Sequence, residues 1–426
     1  MSEGAVADGA LPEGQRRAER LTCQRERFSL PPEAHYLNCA YAGPLMQRVE
    51  HAALAALQRL RTPYVLHADD FFRDAEHVRA LFAALVHAPD PASVAIVPSV
   101  SYGISIAARN TPLAPGRNVV VAEGQFPSNV YPWRRACSDV GATLRTVPRP
   151  AARDGRVAAA WSERLIDAID RHTAAVALGT IDWTDGTLFD LEAIGARARE
   201  VGAAFVLDGI QSVGALPIDV AALRPDALVC ASYKWLLGPM GVGVAYFSER
   251  FACGVPLEET WLGRQGSEAF HRLTEYREAY QDGARRLDAG GRAQFVLLPM
   301  LIAALMQLNE WGPDRIQRYC ADLAQPFLGE LADAGFETSP PGETAAHLFA
   351  LRAAGTVDVA ELQRALERQH VHVSLRGPVL RVSPNVYNTP DDLAALVEVL
   401  RRHGRGRARP LRPAAGQTPE VERAAS

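Results

Sequence analysis

Lysine is nearly missing from this chain. Of 45 basic residues in 426, one is lysine, Lys234, and the rest are arginine. Charge does not explain the survivor, because arginine carries the same charge. What arginine cannot do is lose a proton readily and condense with a carbonyl. A sole lysine in an enzyme-sized chain therefore points to a Schiff base at Lys234. Other shortages narrow the field. Six cysteines (Cys23, Cys39, Cys137, Cys230, Cys253 and Cys320) are scattered without a Cys-x-x-Cys pair. That argues against a disulfide framework or a zinc site and fits the reduced thiols of a cytoplasmic protein. No apolar run reaches the ~18 residues of a membrane span, and the N-terminus lacks the apolar core of a secretory signal. The net charge of −4 offers no basic field for nucleic acid. His370 and His372 sit at strand spacing on one face and read as solvated strand histidines rather than a metal pair.

What is present is ordinary globular material, 48% hydrophobic and 22% charged, in alternating units. Short apolar runs predict strands at 94–97, 119–122, 143–147, 174–178, 204–207, 228–231 and 242–247. Helical spacing predicts helices at 45–60, 74–85, 102–110, 133–140, 162–170, 191–201 and 295–311. Such alternation means βαβ units and a mostly parallel sheet covered on both faces. Residues 251–290, rich in charge and aromatics, read as loops that contact a partner subunit. Beyond them, helices at 314–334, 359–369 and 391–402 mix with short strands at 347–351, 371–374 and 379–382. The domains predicted are a tail at 1–27, a large cofactor-binding domain at 28–290, a small α+β domain at 291–403 and a tail at 404–426. Residues 28–44 dock near the active site or the small domain.

In a parallel sheet, ligands bind beyond the carboxyl ends of the strands. Lys234 follows one predicted strand there, and Asp208 ends another, with Gln211 one turn on. The Ser99-Val100-Ser101 turn joins a strand to a helix, where free N–H groups and the dipole favour a phosphate. Phe126 follows a further strand. An amine, a carboxylate, an anion cup and an aromatic plate are the requirements of pyridoxal 5′-phosphate. The bland alternatives are a strand-end aspartate, a helix cap and a core phenylalanine. Their joint occurrence with the sole lysine favours the cofactor.

Three stretches carry a resemblance: Leu207-Asp208-Gly209-Ile210-Gln211-Ser212-Val213-Gly214, Ser232-Tyr233-Lys234, and Gly238-Pro239-Met240-Gly241-Val242-Gly243. The chain resembles the class V aminotransferase family of fold type I pyridoxal-phosphate enzymes, which includes cysteine desulfurases, kynureninases and isopenicillin N epimerase-like proteins. The resemblance implies an α/β fold with a mostly parallel seven-stranded sheet between helices and a smaller α+β C-terminal domain. It implies a Schiff base at Lys234, Asp208 on the pyridinium nitrogen and Gln211 on the phenolic oxygen. Val100 and Ser101 hold the phosphate with help from Ser232 and Tyr233, and Phe126 stacks on the ring. Arg381, with Arg376 as second candidate, grips the substrate carboxylate. Cys39 and Trp183 border the substrate pocket, and Arg292 or Gln294 reaches a neighbouring subunit's phosphate in a homodimer. No cysteine follows Cys320, so the nucleophilic loop cysteine of desulfurases is missing. Phe126 and Tyr233 look more like kynureninases. The activity implied is a lyase acting on an α-amino acid by β-elimination or by C–S or C–C cleavage. The alternatives are a transaminase, an epimerase and a catalytically silent binding module.

Overall fold

The computed structural model describes residues 20–151, 156–355, 357–376 and 379–403. The expected tail at 404–426 and the first 19 residues of the expected tail at 1–27 lie outside them. Order begins before Phe28. The Gln24 N–H donates to the Val386 carbonyl at 2.7 Å, and the Arg25 guanidinium bonds the carbonyls of Pro31 and Ala34.

Seven strands make one sheet: β1 (Val94–Val97), β2 (Asn118–Ala122), β3 (Thr143–Val147), β4 (Thr173–Gly179), β5 (Ala204–Asp208), β6 (Ala227–Ala231) and β7 (Gly243–Phe247). Their order is β1-β7-β6-β5-β4-β2-β3. β7 runs antiparallel to both neighbours, and the remaining pairs are parallel. The central strands are unbroken apolar runs because helices bury both faces. Alternate residues go to separate cores. Val120, Val176, Phe205 and Leu207 face one, and Val119, Ala175, Ala204 and Val206 face the other.

The helix Leu297–Trp311, assigned by sequence to the small domain, packs on the helices Gln47–Leu60 and Asp70–Leu85 of the large one. Leu298, Leu301, Leu305 and Leu308 are fully buried there, so its apolar faces belong to the large core. The single helix expected at 314–334 is two, Pro313–Ala324 and Leu328–Asp333, joined by a tight turn at Gln325–Phe327. Pro326 has no N–H to continue the ladder, and its ring clashes with the preceding turn.

The small domain has its own core and an antiparallel sheet of four strands: Ser374–Arg376, Val379–Val382, Phe349–Ala353 and Phe336–Glu337, in that order. His35–Tyr36 pairs with Val371–His372, which brings the N-terminal segment against this domain. His370 has φ of 51° and lies outside that short strand, so the two histidines do not share a strand face.

Candidate active site

β5 and β6 bring the two central charges to the same edge of the sheet. Asp208 is the last residue of β5, and Lys234 lies three residues past the end of β6. Both are buried. Burial raises the Asp208 pKa, because the anion loses water. The Ile210 N–H, 3.0 Å from Oδ1, and the Lys234 charge pull it back. Burial lowers the Lys234 pKa. The Asp208 charge opposes that shift, and the Arg381 and Arg376 charges add to it. The net result is a Lys234 pKa of about 8, so the amine is freed well below the ordinary lysine range.

The backbone around the lysine is tightly held. The Gly43 N–H donates to the Tyr233 carbonyl at 2.8 Å. A Cβ on Gly43 would sit 2.3 Å from the Lys234 carbonyl oxygen, so only glycine lets the N-terminal segment approach this closely. The Leu237 N–H closes the turn onto the Lys234 carbonyl at 3.1 Å. Ser232 does not do what the sequence suggests. It is wholly buried, and its hydroxyl bonds the carbonyls of Pro239 and Val242, the latter at 2.8 Å. That hydroxyl pins the loop, and its single proton is committed to these carbonyls.

On the opposite side, Ser99 caps the helix Val100–Arg109. Its Oγ accepts from the Tyr102 N–H at 3.2 Å and lies 2.9 Å from the Ser101 Oγ. The N–H groups of Val100 and Ser101 find no acceptor among the described residues. Two free donors, an exposed hydroxyl and the positive end of a helix dipole make an anion cup. Phe126 is 40% exposed, with its ring centroid 5.7 Å from the Lys234 Nζ. The Tyr233 ring stands at the same distance. Trp183 meets Phe126 edge-on at 5.3 Å, and its indole N–H is fixed by the Gly124 carbonyl at 2.8 Å.

Gln211 is anchored through its amide. Its Nε2 donates to the Ala40 carbonyl at 3.2 Å, and its Oε1 accepts from the Trp235 indole at 3.0 Å. One amide N–H is left over. Arg381 is 1% exposed, yet among the described residues no carboxylate lies in ion-pair contact with it, and the Asp182 charge reaches it only through space. Its Nη1 donates to the Trp183 carbonyl at 2.8 Å, Nη2 reaches the Ser374 hydroxyl at 3.5 Å, and Nε has no partner. Burial, with the Arg376 charge beside it, lowers its pKa to about 10. A buried cation left this bare calls for an anion.

Two expectations change. Arg292 is 1% exposed within this subunit and forms an ion pair with the buried Asp288, which also binds Arg79 at 2.5 Å. Its guanidinium is part of the interior and cannot reach a partner's phosphate. Gln294 is half-buried beside it, and its N–H donates to the Arg292 carbonyl at 2.8 Å. Cys39 does lie against the lysine, with its Sγ 3.9 Å from the Lys234 carbonyl oxygen. Burial pushes its thiol up to about 12, so it stays protonated and is no nucleophile.

His347 escaped the sequence reading. It is buried, stacks edge-on against Trp235 at 4.4 Å, and its Nε2 donates to the Gln211 carbonyl at 2.8 Å. Burial lowers its pKa to about 4, so it is neutral and holds both Trp235 and Gln211 in place. A lone histidine far along the chain carries no pattern that reveals such a role.

The orphan groups gathered here fit a phosphorylated pyridine aldehyde. They are the Lys234 amine, one uncommitted Asp208 oxygen, the two helix N–H groups and the flat face of Phe126. Residues 61–396 match the family Aminotransferase class-V. The chain belongs to that family. Among its members, an uncharacterized aminotransferase of Bacillus subtilis is 29% identical over 76% of this chain and 82% of the relative. Isopenicillin N epimerase of Streptomyces clavuligerus is 24% identical over 88% of this chain and 96% of its own length. A cysteine desulfurase of an Enterobacter strain is 31% identical, but over 60% of this chain and 61% of the relative. The fold is shared with the Escherichia coli cysteine desulfurase CsdA, at a TM-score of 0.75 and 22% identity, covering 89% of this chain and 96% of that one. It is shared too with the cystine C-S lyase C-DES, at a TM-score of 0.77 and 19% identity, covering 88% and 98%.

Proposed function

We propose that this protein is a pyridoxal-phosphate enzyme that cleaves an α-amino acid, a lyase. The observation that carries the cofactor chemistry is the buried Lys234 amine within the field of the buried Asp208 carboxylate and the Arg381 guanidinium, and the Phe126 and Tyr233 rings, each 5.7 Å from its Nζ, lean the reading to a lyase. Pyridoxal phosphate, bound through Lys234, supplies the sink for the electron pair released at the substrate α-carbon. Asp208 holds the ring nitrogen protonated. Val100, Ser101 and the dipole of their helix hold the phosphate, and Phe126 covers the ring. Gln211 offers its remaining N–H to the phenolic oxygen. Arg381 takes the substrate α-carboxylate in its fork. Lys234, once displaced, is the base for the α-proton, a task its lowered pKa suits. Tyr233 and Trp183 wall the substrate space.

Transamination is the second reading. What favours it is the match to an aminotransferase over 82% of that protein's length, against 61% for the desulfurase. The active unit in this reading is a homodimer whose site lies at the subunit interface. Exposed Trp261 and Tyr276 on the 251–290 loops support that assembly. Six free thiols support a cytoplasmic setting. Among the described residues no helix is long and apolar enough to cross a membrane.

The test is to mix purified protein with single amino acids and follow the keto acid, ammonia and the visible band together. A lyase keeps the band and releases either keto acid with ammonia, by β-elimination, or a shortened amino acid, by C–S or C–C cleavage. Bleaching of the band without ammonia, restored by an added keto acid, establishes the transaminase. No turnover with any amino acid, from protein that carries the band, would overturn both.

A further inference from the structure

Two guanidiniums converge on one indole. The Cζ of Arg381 lies 5.9 Å from the Trp183 ring centroid, and the Cζ of Arg376 lies 5.8 Å from it. Trp183 touches Phe126, and Phe126 borders the Lys234 Nζ. Both cations therefore face the space in which the lysine amine works. Both also push the Lys234 pKa down through space.

A simple α-amino acid supplies one carboxylate, and Arg381 accounts for it. Arg376 is then left without a counter-ion. Its Nη1 donates to its neighbour's carbonyl, Leu375, at 2.9 Å, and its other N–H groups find no acceptor among the described residues. It also lines a cleft of about 500 Å³ with Tyr36, Tyr41 and His372, and the lining of that cleft does not include Lys234, Trp183 or Arg381. Glu367 lines the same cleft, but its carboxylate takes the Gln363 amide at 3.1 Å and forms no ion pair with Arg376. A planar fork of free donors, half-buried against an aromatic wall, is a receptor for an oxyanion. A neutral substrate side chain would leave that fork unmatched, which is how a polar site rejects the wrong ligand.

We propose that the substrate is an α-amino acid whose side chain carries a second anionic group, a carboxylate or comparable oxyanion, held by Arg376 while Arg381 holds the α-carboxylate. This rests on the amino-acid site proposed above and adds the substrate class. Positive charge concentrated at the mouth also speeds capture of a dianion.

The test is calorimetric titration of the cofactor-loaded enzyme with succinate, glutarate and butyrate, which bind without reacting. The better of the two dicarboxylates binds at least about tenfold more tightly than butyrate, the gain of one charge-assisted pair. Arg376→Gln abolishes that ratio and leaves butyrate affinity within about twofold, while Arg381→Gln weakens all three acids. Equal affinity for butyrate and both dicarboxylates overturns the proposal. So does an Arg376→Gln variant that weakens all three acids alike, since a merely structural arginine would do that. The visible band of the same samples reports the cofactor separately. Its absence counts against the cofactor reading, and the affinity ratio decides the second-anion reading alone.

Discussion

Two arginines with the same 1% exposure have opposite fates in this molecule. Arg292 lies beneath the large domain with Asp288, Arg79 and the face of Phe72, whose ring centroid is 5.4 Å away. Asp288 also accepts the Ile96 N–H at 2.7 Å. The charge is answered on the spot, and the cluster ties the strand Val94–Val97 to the segment after Gly283–Leu287. Arg381 is buried just as deeply on the small-domain strand Val379–Val382, with only two neutral oxygens in hydrogen-bond reach. Burial alone does not separate a structural arginine from a binding one. The presence or absence of a resident carboxylate does.

The largest effect that sharpens this contrast falls on Asp288. Asp288→Asn leaves Arg292 buried without an anion and Arg79 with Glu76 alone, and urea unfolding should show a loss of about 3–5 kcal/mol. Arg381→Gln should cost stability no more than about 1 kcal/mol, because no ion pair is broken. It should instead lower kcat/KM by roughly 10- to 100-fold, mostly through KM, the value of a charge-assisted bond to a carboxylate. Equal stability losses for the two variants would erase the distinction. Asp208→Asn tests the other buried acid. Burial already penalises this carboxylate, so the variant should keep or gain stability while turnover falls roughly 100-fold or more with the loss of the ring-nitrogen partner.

The smallest effect is in the pH dependence. Cofactor loading requires the unprotonated Lys234 amine, so its rate rises with pH and levels off below the ordinary lysine range, because burial lowers the folded-state pKa. The Arg381 charge contributes to that lowering. Arg381→Gln should therefore move the loading profile up by roughly half a pH unit. A profile that stays in place would mean that the guanidinium does not act on the lysine.

Much of the fold could be read in advance because it rests on local rules. Apolar runs bounded by turns marked the strands of the main sheet within a residue or two, since the central strands, covered on both faces, are almost wholly apolar; the edge strand Thr143–Val147 is the polar exception. The positions of Lys234 and Asp208 at the sheet edge were legible because the chain has one lysine and because both follow from the strand ends. What stayed hidden depends on contacts between distant segments. The Ser232 hydroxyl looked available until the return of Pro239 and Val242 over it was seen. Arg292 looked like an outward reach, although the Asp288-x-x-x-Arg292 spacing of an intrachain pair was in plain view. Leu297–Trp311 followed the chain into the small domain by sequence order, yet its all-round apolar surface asks for a deep core. His347 had no local signal, because its partners, Gln211 and Trp235, lie more than a hundred residues away.

The central claim is that the one lysine carries the cofactor, and the composition makes the measurement simple. Borohydride reduction of the purified, cofactor-loaded protein, followed by intact mass, should add one phosphopyridoxyl group to the wild type and none to Lys234→Ala. The same mass gain in the variant, or no gain in a wild type that carries the visible band, would contradict the account.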